Sequence, residues 1–159
     1  MTLDDFFELG VTRTLGSHTF GAEEIKAFAR KYDPQPFHLD EAAAERSILK
    51  GLCASGWHTV SMWMRHNLLS AQSERRAWTG EGPEPVFGPS PGFENLKWLK
   101  PVYAGDTITY TRTNLAHRPM ASRPGWRLLT MRCEGTNQNG EKVLEFDSAV
   151  LVKTAAAQA

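Results

Sequence analysis

Asp33 and His38 are the residues best placed by type and spacing to do chemistry, five positions apart in the segment YDPQPFHLD, residues 32–40. A carboxylate and an imidazole within hydrogen-bond reach of one water can act on it as base and acid, each contributing on the order of 10²–10⁴ in rate. Such a pair suits general acid–base chemistry on a bound water, one group taking a proton and the other returning one. Alone, an Asp and a His at this spacing read more readily as a turn cap and a packed ring than as a catalytic pair. The elements around them have to decide.

The helix leading into the segment is AEEIKAFARKY, residues 22–32. Ile25, Phe28, Ala29 and Tyr32 fall at i, i+3, i+4 and i+7, one apolar stripe with acids in its first turn. Pro34 stops it and pushes Asp33 out of the α region, so the pair is expected on chain held extended by Pro34 and Pro36. A short helix over EAAAERS is capped by Asp40 and closed by Gly51. A long helix begins near Ser55, with Trp57, Val60, Ser61, Met64, Leu68 and Ala71 on one stripe and Met62, Trp63 and Leu69 adding apolar surface elsewhere. Such a helix is expected to be buried at its start and to emerge at its polar end, QSERR.

The stretch from Trp78 to Gly92 reads as an irregular loop, either a surface connection or a pocket wall. Beyond it the period changes to two. ENLKWLKPV, DTITYTRT, GWRLLTMRCEG and EKVLEFDSAVLVK read as strands, with Asn139-Gly140 as the hairpin turn between the last two. Thr12–Phe20 is a further short strand. Helices followed by four consecutive strands predict an α+β domain whose antiparallel sheet wraps a greasy central helix.

The length of 159 residues suits one domain with a sizeable core, expected over 1–154 with a frayed tail at 155–159. Lys+Arg and Asp+Glu are both 18, which argues against a nucleic-acid partner because that footprint needs a basic excess. No apolar run approaches the ~20 residues of a membrane span, and the acidic N-terminus does not read as a signal peptide. Two unrelated cysteines, Cys53 and Cys133, make a reducing cytoplasm the expected location. Cys53 lacks an activating partner and reads as a small buried residue. His38, His58 and His66 lack recognised zinc-ligand spacing, and no metal is expected.

Three ordered blocks carry a family resemblance. FARKYDPQPFHLDEAAA resembles a hydratase motif in which an Asp and a proline-containing spacer precede His-x-Asp. GLCASGWHT resembles a small-residue approach to a central helix, and FENLKWLKPVYAGDTIT a strand, a KPV stretch, a Gly-Asp turn and a second strand. Together these are similar to the MaoC-like dehydratases and (R)-specific enoyl-CoA hydratases. The resemblance implies a hot-dog fold, a homodimer or higher homo-oligomer, and hydration of a 2-enoyl group carried on CoA or ACP, or the reverse dehydration. It needs no metal or organic cofactor. It puts Asp33 and His38 on the catalytic pair and the Gly56 backbone N–H in the oxyanion hole. Where some members carry a supporting hydroxyl, Met64 stands, leaving Ser61 or Thr59 to serve; the usual Asn of the motif is Gln35.

Other residues read two ways. His58, opening the long helix, is a packed histidine or an additional polar group at the site. Trp57, Trp63 and Trp98 read mostly as core, although Trp63 or Phe37 would narrow an acyl tunnel. Arg112, Arg118, Arg123 and Arg127 surround a hairpin as a solvated loop or a phosphate-contacting patch. A non-catalytic acyl-thioester- or partner-binding subunit is the alternative to an enzyme. A hot-dog thioesterase would need a carboxylate on the apolar half of the long helix, and Glu74 lies beyond it.

Overall fold

The computed structural model describes residues 1–73 and 76–154. Glu74 and the tail expected at 155–159 lie outside the described residues. In chain order the elements are α1 (Leu3–Phe7), β1 (Thr12–Thr19), α2 (Ala22–Tyr32), α3 (Pro36–Leu39), α4 (Glu41–Arg46), α5 (Gly56–Ser73), β2 (Val86–Phe87), β3 (Gly92–Trp98), β4 (Thr107–Pro119), β5 (Trp126–Thr136) and β6 (Lys142–Lys153). The helix over AEEIKAFARKY and the strand from Thr12 form where the residue pattern puts them. The irregular stretch before β3 contains one two-residue strand.

All strand pairs are antiparallel, in the order β1-β4-β5-β6, with β2 and β3 sharing the outer edge of β6. The expected Asn139-Gly140 turn closes the β5–β6 hairpin. Gly140 takes φ 77°, and the Asn137 side-chain carbonyl accepts from the Asn139 and Glu141 amides. Register breaks between Thr14 and Gly16, Asn114 and Ala116, and Glu94 and Lys97 act as bulges that curl the sheet. The outcome is the hot-dog architecture, a curled antiparallel sheet around the central helix α5.

Alternation along β4 and β5 sends Ile108, Tyr110, Leu129 and Cys133 to the inner face. There α5 is pinned by side chains as well as packed. Trp63 Nε1 donates to Thr111 O at 3.0 Å, the Tyr110 hydroxyl to Thr59 O at 2.9 Å, and Arg112 to Asn67 Oδ1 at 2.7 Å.

The stripe on α5 faces the other way from expectation. Its buried residues are His58, Thr59 and Trp63, whereas Trp57, Met64 and Leu68 are 49%, 45% and 56% exposed. A helix apolar on most sides does not itself select the side that meets the sheet. Here Trp63 goes inward to a backbone acceptor on β4, the Thr59 carbonyl accepts from Tyr110, and His58 turns to Glu24 of α2. Trp98 is also half-exposed, so of the three tryptophans read as core only Trp63 is.

A second difference concerns Pro36. Rather than extending the chain, it occupies the first position of the one-turn helix α3, where its fixed φ and missing N–H are both tolerated. His38 therefore rides on a helical turn.

Candidate active site

Asp33 caps the C-terminal end of α2 with φ −155°, leaving the helix as Pro34 requires. The α3 turn brings His38 back beside it. His38 Nε2 lies 3.4 Å from Asp33 Oδ2, with the imidazole 7% and the carboxylate 17% exposed. At that separation the two groups face each other without a short direct hydrogen bond, and one water can contact both.

A four-residue stretch, Cys53-Ala54-Ser55-Gly56, fixes both groups. His38 Nδ1–H donates to Cys53 O at 2.6 Å, which puts the proton on Nδ1 and directs Nε2 toward Asp33. Ser55 Oγ donates to Asp33 Oδ2 at 2.6 Å, and Gln35 Nε2 to Asp33 Oδ1 at 2.7 Å. Gln35, in place of the usual Asn, thus still engages the carboxylate. The stretch is itself clamped by the segment after β3: Ala54 N–H donates to Val102 O and Ala104 N–H to Leu52 O, and Cys53 bridges Tyr103. Just after the clamp Gly105 turns the chain at φ 93°, a backbone state that glycine adopts without penalty, and its amide donates to Phe20 O. Val102, Tyr103 and Ala104 therefore hold the site from behind.

Burial alone would raise the Asp33 carboxyl. The hydrogen bonds from Ser55 and Gln35, with His38 close by, outweigh it and hold the group below the usual Asp range. A carboxylate so held is ionised at neutral pH. Burial, with the Asp33 charge nearby, pushes the Cys53 thiol up to about 11, the behaviour of an inert packed thiol.

Gly56 opens α5, whose first amides have no preceding turn to bond and carry the positive end of the helix dipole. Its Cα is covered by an indole: a methyl at Gly56 would lie 2.2 Å from Trp98 Cε2. Ser55 is buried, and its hydroxyl ties the carboxylate directly to the residue before this amide.

The other sites read from the sequence fall elsewhere. Thr59 Oγ1 donates to Gly56 O at 2.6 Å and Ser61 Oγ to Trp57 O at 2.7 Å, both back into α5. The hydroxyl on the carboxylate is that of Ser55, which the sequence reading missed; its signal was a hydroxyl residue just before the helix-opening glycine. His58 turns away from the pair to Glu24 Oε1 at 3.1 Å, an oxygen it shares with His18, and stacks on Phe28. Among the described residues no group of three or more His, Cys, Asp or Glu is placed to hold a metal. The four arginines separate: Arg112 lies under α5, whereas Arg123 covers Trp126 near the β4–β5 turn. No described helix is long and apolar enough to cross a membrane. Two depressions of about 150 and 560 Å³ are lined by β3, β5 and β6, the larger also by Leu115 of β4, and neither includes Asp33 or His38.

Ser55→Ala tests the tie to the carboxylate. A hydrogen bond to a charged group contributes about 1.5–3 kcal/mol, so turnover dependent on Asp33 is expected to fall by about 10- to 100-fold. Loss of the donor also lets the Asp33 pKa rise, moving the acid limb of kcat/KM to higher pH. A lower rate with an unmoved acid limb would make Ser55 merely structural.

The chain is similar to known proteins over most of its length. The MaoC like domain family model matches residues 7–122. A crystal structure of a MaoC-like dehydratase from Rhodospirillum rubrum is 36% identical, with a TM-score of 0.76 and 97% of each chain covered. The Bacillus subtilis protein YdeM is 28% identical over 156 residues, 96% of this chain and 99% of its own. An (R)-hydratase from A. caviae involved in PHA biosynthesis shares the fold at 24% identity, with a TM-score of 0.63 over 89% of this chain and 94% of its own.

Proposed function

The chain belongs to the MaoC-like domain family, and on that premise we propose that it is a hydratase/dehydratase interconverting a 2-enoyl thioester and its (R)-3-hydroxyacyl counterpart, carried on CoA or ACP. The observation supporting this reading is the facing of Asp33 and His38 at 3.4 Å, held by the same four residues that end in the Gly56 amide.

In hydration the pair removes a proton from the shared water as oxygen bonds C3 of the enoyl group. The electron pair of the double bond moves onto C2 and the thioester oxygen. The pair then delivers a proton to C2, so the site ends in its starting protonation state. Oxyanion charge develops beside the first amides of α5, where preorganised N–H donors have their greatest effect. Ionised Asp33 and an Nδ1-anchored His38 suit proton exchange with a water between them. Each residue's role is carried by its own atoms: Cys53 O orients the imidazole, and Ser55 and Gln35 orient the carboxylate. The residues Gly56–Ser73 of α5 carry no Asp or Glu, the group that a thioesterase reading would place there.

The test is incubation of the purified protein with crotonyl-CoA and with crotonyl-ACP, followed by chiral product analysis. The expected product is the (R)-3-hydroxybutyryl thioester. An unchanged substrate in both assays overturns the reading, and release of free acid points to thioester cleavage instead.

The outward apolar stripe of α5 and the edge of β3 that has no strand partner among the described residues fit a homodimer. The wild-type protein is expected at about twice 17.8 kDa by light scattering. Met64→Glu with Leu68→Glu is expected to shift it toward the monomer mass, because each change puts a charge into an apolar contact. A monomeric wild type would contradict this assembly.

A further inference from the structure

We propose that Trp98 closes the acyl channel next to the reacting carbonyl and limits this protein to short 2-enoyl chains. This inference rests on the hydratase reading and names the substrate class of the same site. Trp98 ends β3, and its backbone is fixed there: it pairs with Leu144, and the next amide, Leu99 N–H, donates to Val143 O at 2.8 Å. Its indole lies on the Cα of Gly56, so close that a Cβ there would be 2.2–2.6 Å from three ring atoms. The edge of the same indole meets Trp57, with ring centroids 5.2 Å apart and planes at 80°. Both rings are about half-exposed, so they are not core packing.

A thioester whose oxygen sits on the Gly56 amide has its carbonyl carbon roughly 4 Å from that nitrogen. The acyl chain leaving that carbon must therefore pass the indole. Edge-to-face contact between Trp57 and Trp98 leaves no gap for a chain between them. A short acyl group lies beside the ring, whereas a longer chain requires the indole to swing off Gly56. Because the β3 backbone is held by β6, this adjustment falls on the side-chain torsions of Trp98 alone.

The experiment compares kcat/KM for crotonyl-, oct-2-enoyl- and dodec-2-enoyl-CoA in the wild type, Trp98→Phe and Trp98→Ala. Wild-type kcat/KM is expected to fall with chain length. Trp98→Ala is expected to raise the dodecenoyl-to-crotonyl ratio by at least about tenfold, the scale on which apolar pockets discriminate, and Trp98→Phe by less. A ratio within twofold of wild type in a folded Trp98→Ala protein overturns the inference, as does a wild type that prefers the dodecenoyl chain. If Trp98→Ala does not fold, the Trp98→Phe ratio and the wild-type preference decide. A wild type that hydrates none of the three overturns the reading beneath it.

Discussion

Asp33→Asn is expected to lower hydration of a short 2-enoyl thioester by about 10²–10⁴-fold while leaving the fold intact, and His38→Gln to do the same. Asn keeps the shape of the side chain and can still accept from Ser55, so the packing around the end of α2 is preserved. What it loses is the charge that draws a proton from water. The stability effect has a defined sign. The Asp33 carboxyl is held below its ordinary value, so its ionised form favours the folded state above the ordinary carboxylate range, and this contribution fades as pH falls through the lowered value. The Tm of Asp33→Asn should therefore depend less on acid than that of the wild type. A variant that retained full activity would remove Asp33 from the chemistry.

Gly56→Ala is the second large effect. The added methyl meets the Trp98 ring at 2.2 Å, so the indole must leave its place. Displacing a packed ring costs about 1–3 kcal/mol. Once the indole has moved, the methyl stands beside a thioester seated on the amide, and disturbing an oxyanion donor costs on the order of 10²–10³ in kcat. Gly56→Ala combined with Trp98→Ala separates the two causes. The pair is expected to recover the melting temperature but not the rate. Recovery of both would mean that the glycine serves only the tryptophan.

Much of this arrangement was legible in the residues. The stripe Ile25, Phe28, Ala29, Tyr32 with Pro34 behind it defines α2, because apolar periodicity and a proline stop act locally. Asn139-Gly140 defines a hairpin for the same reason. What escaped depends on neighbours far along the chain. Pro36 serves an extended segment or a helix start equally well, and the α3 turn that carries His38 is set by tertiary packing. The face of α5 was ambiguous because apolar residues surround most of its first turns; Thr111 O, receiving the Trp63 indole, and Tyr110 settle it from β4. Ser55 was hidden in a run of small residues, and its role follows only from α2 ending within 2.6 Å of it. Trp98 was hidden for the same kind of reason: period two marks its strand, but not the helix-opening glycine beneath its ring.

A double-mutant cycle on crotonyl-CoA hydration tests the central claim most directly, with the wild type, Asp33→Asn, His38→Gln and the double variant compared by direct product assay. Groups that work as one unit on a single water lose their contributions together, so the double variant should be no slower than the worse single variant. Losses that multiply, or single variants as fast as the wild type, would show that the carboxylate and the imidazole do not share the reacting water.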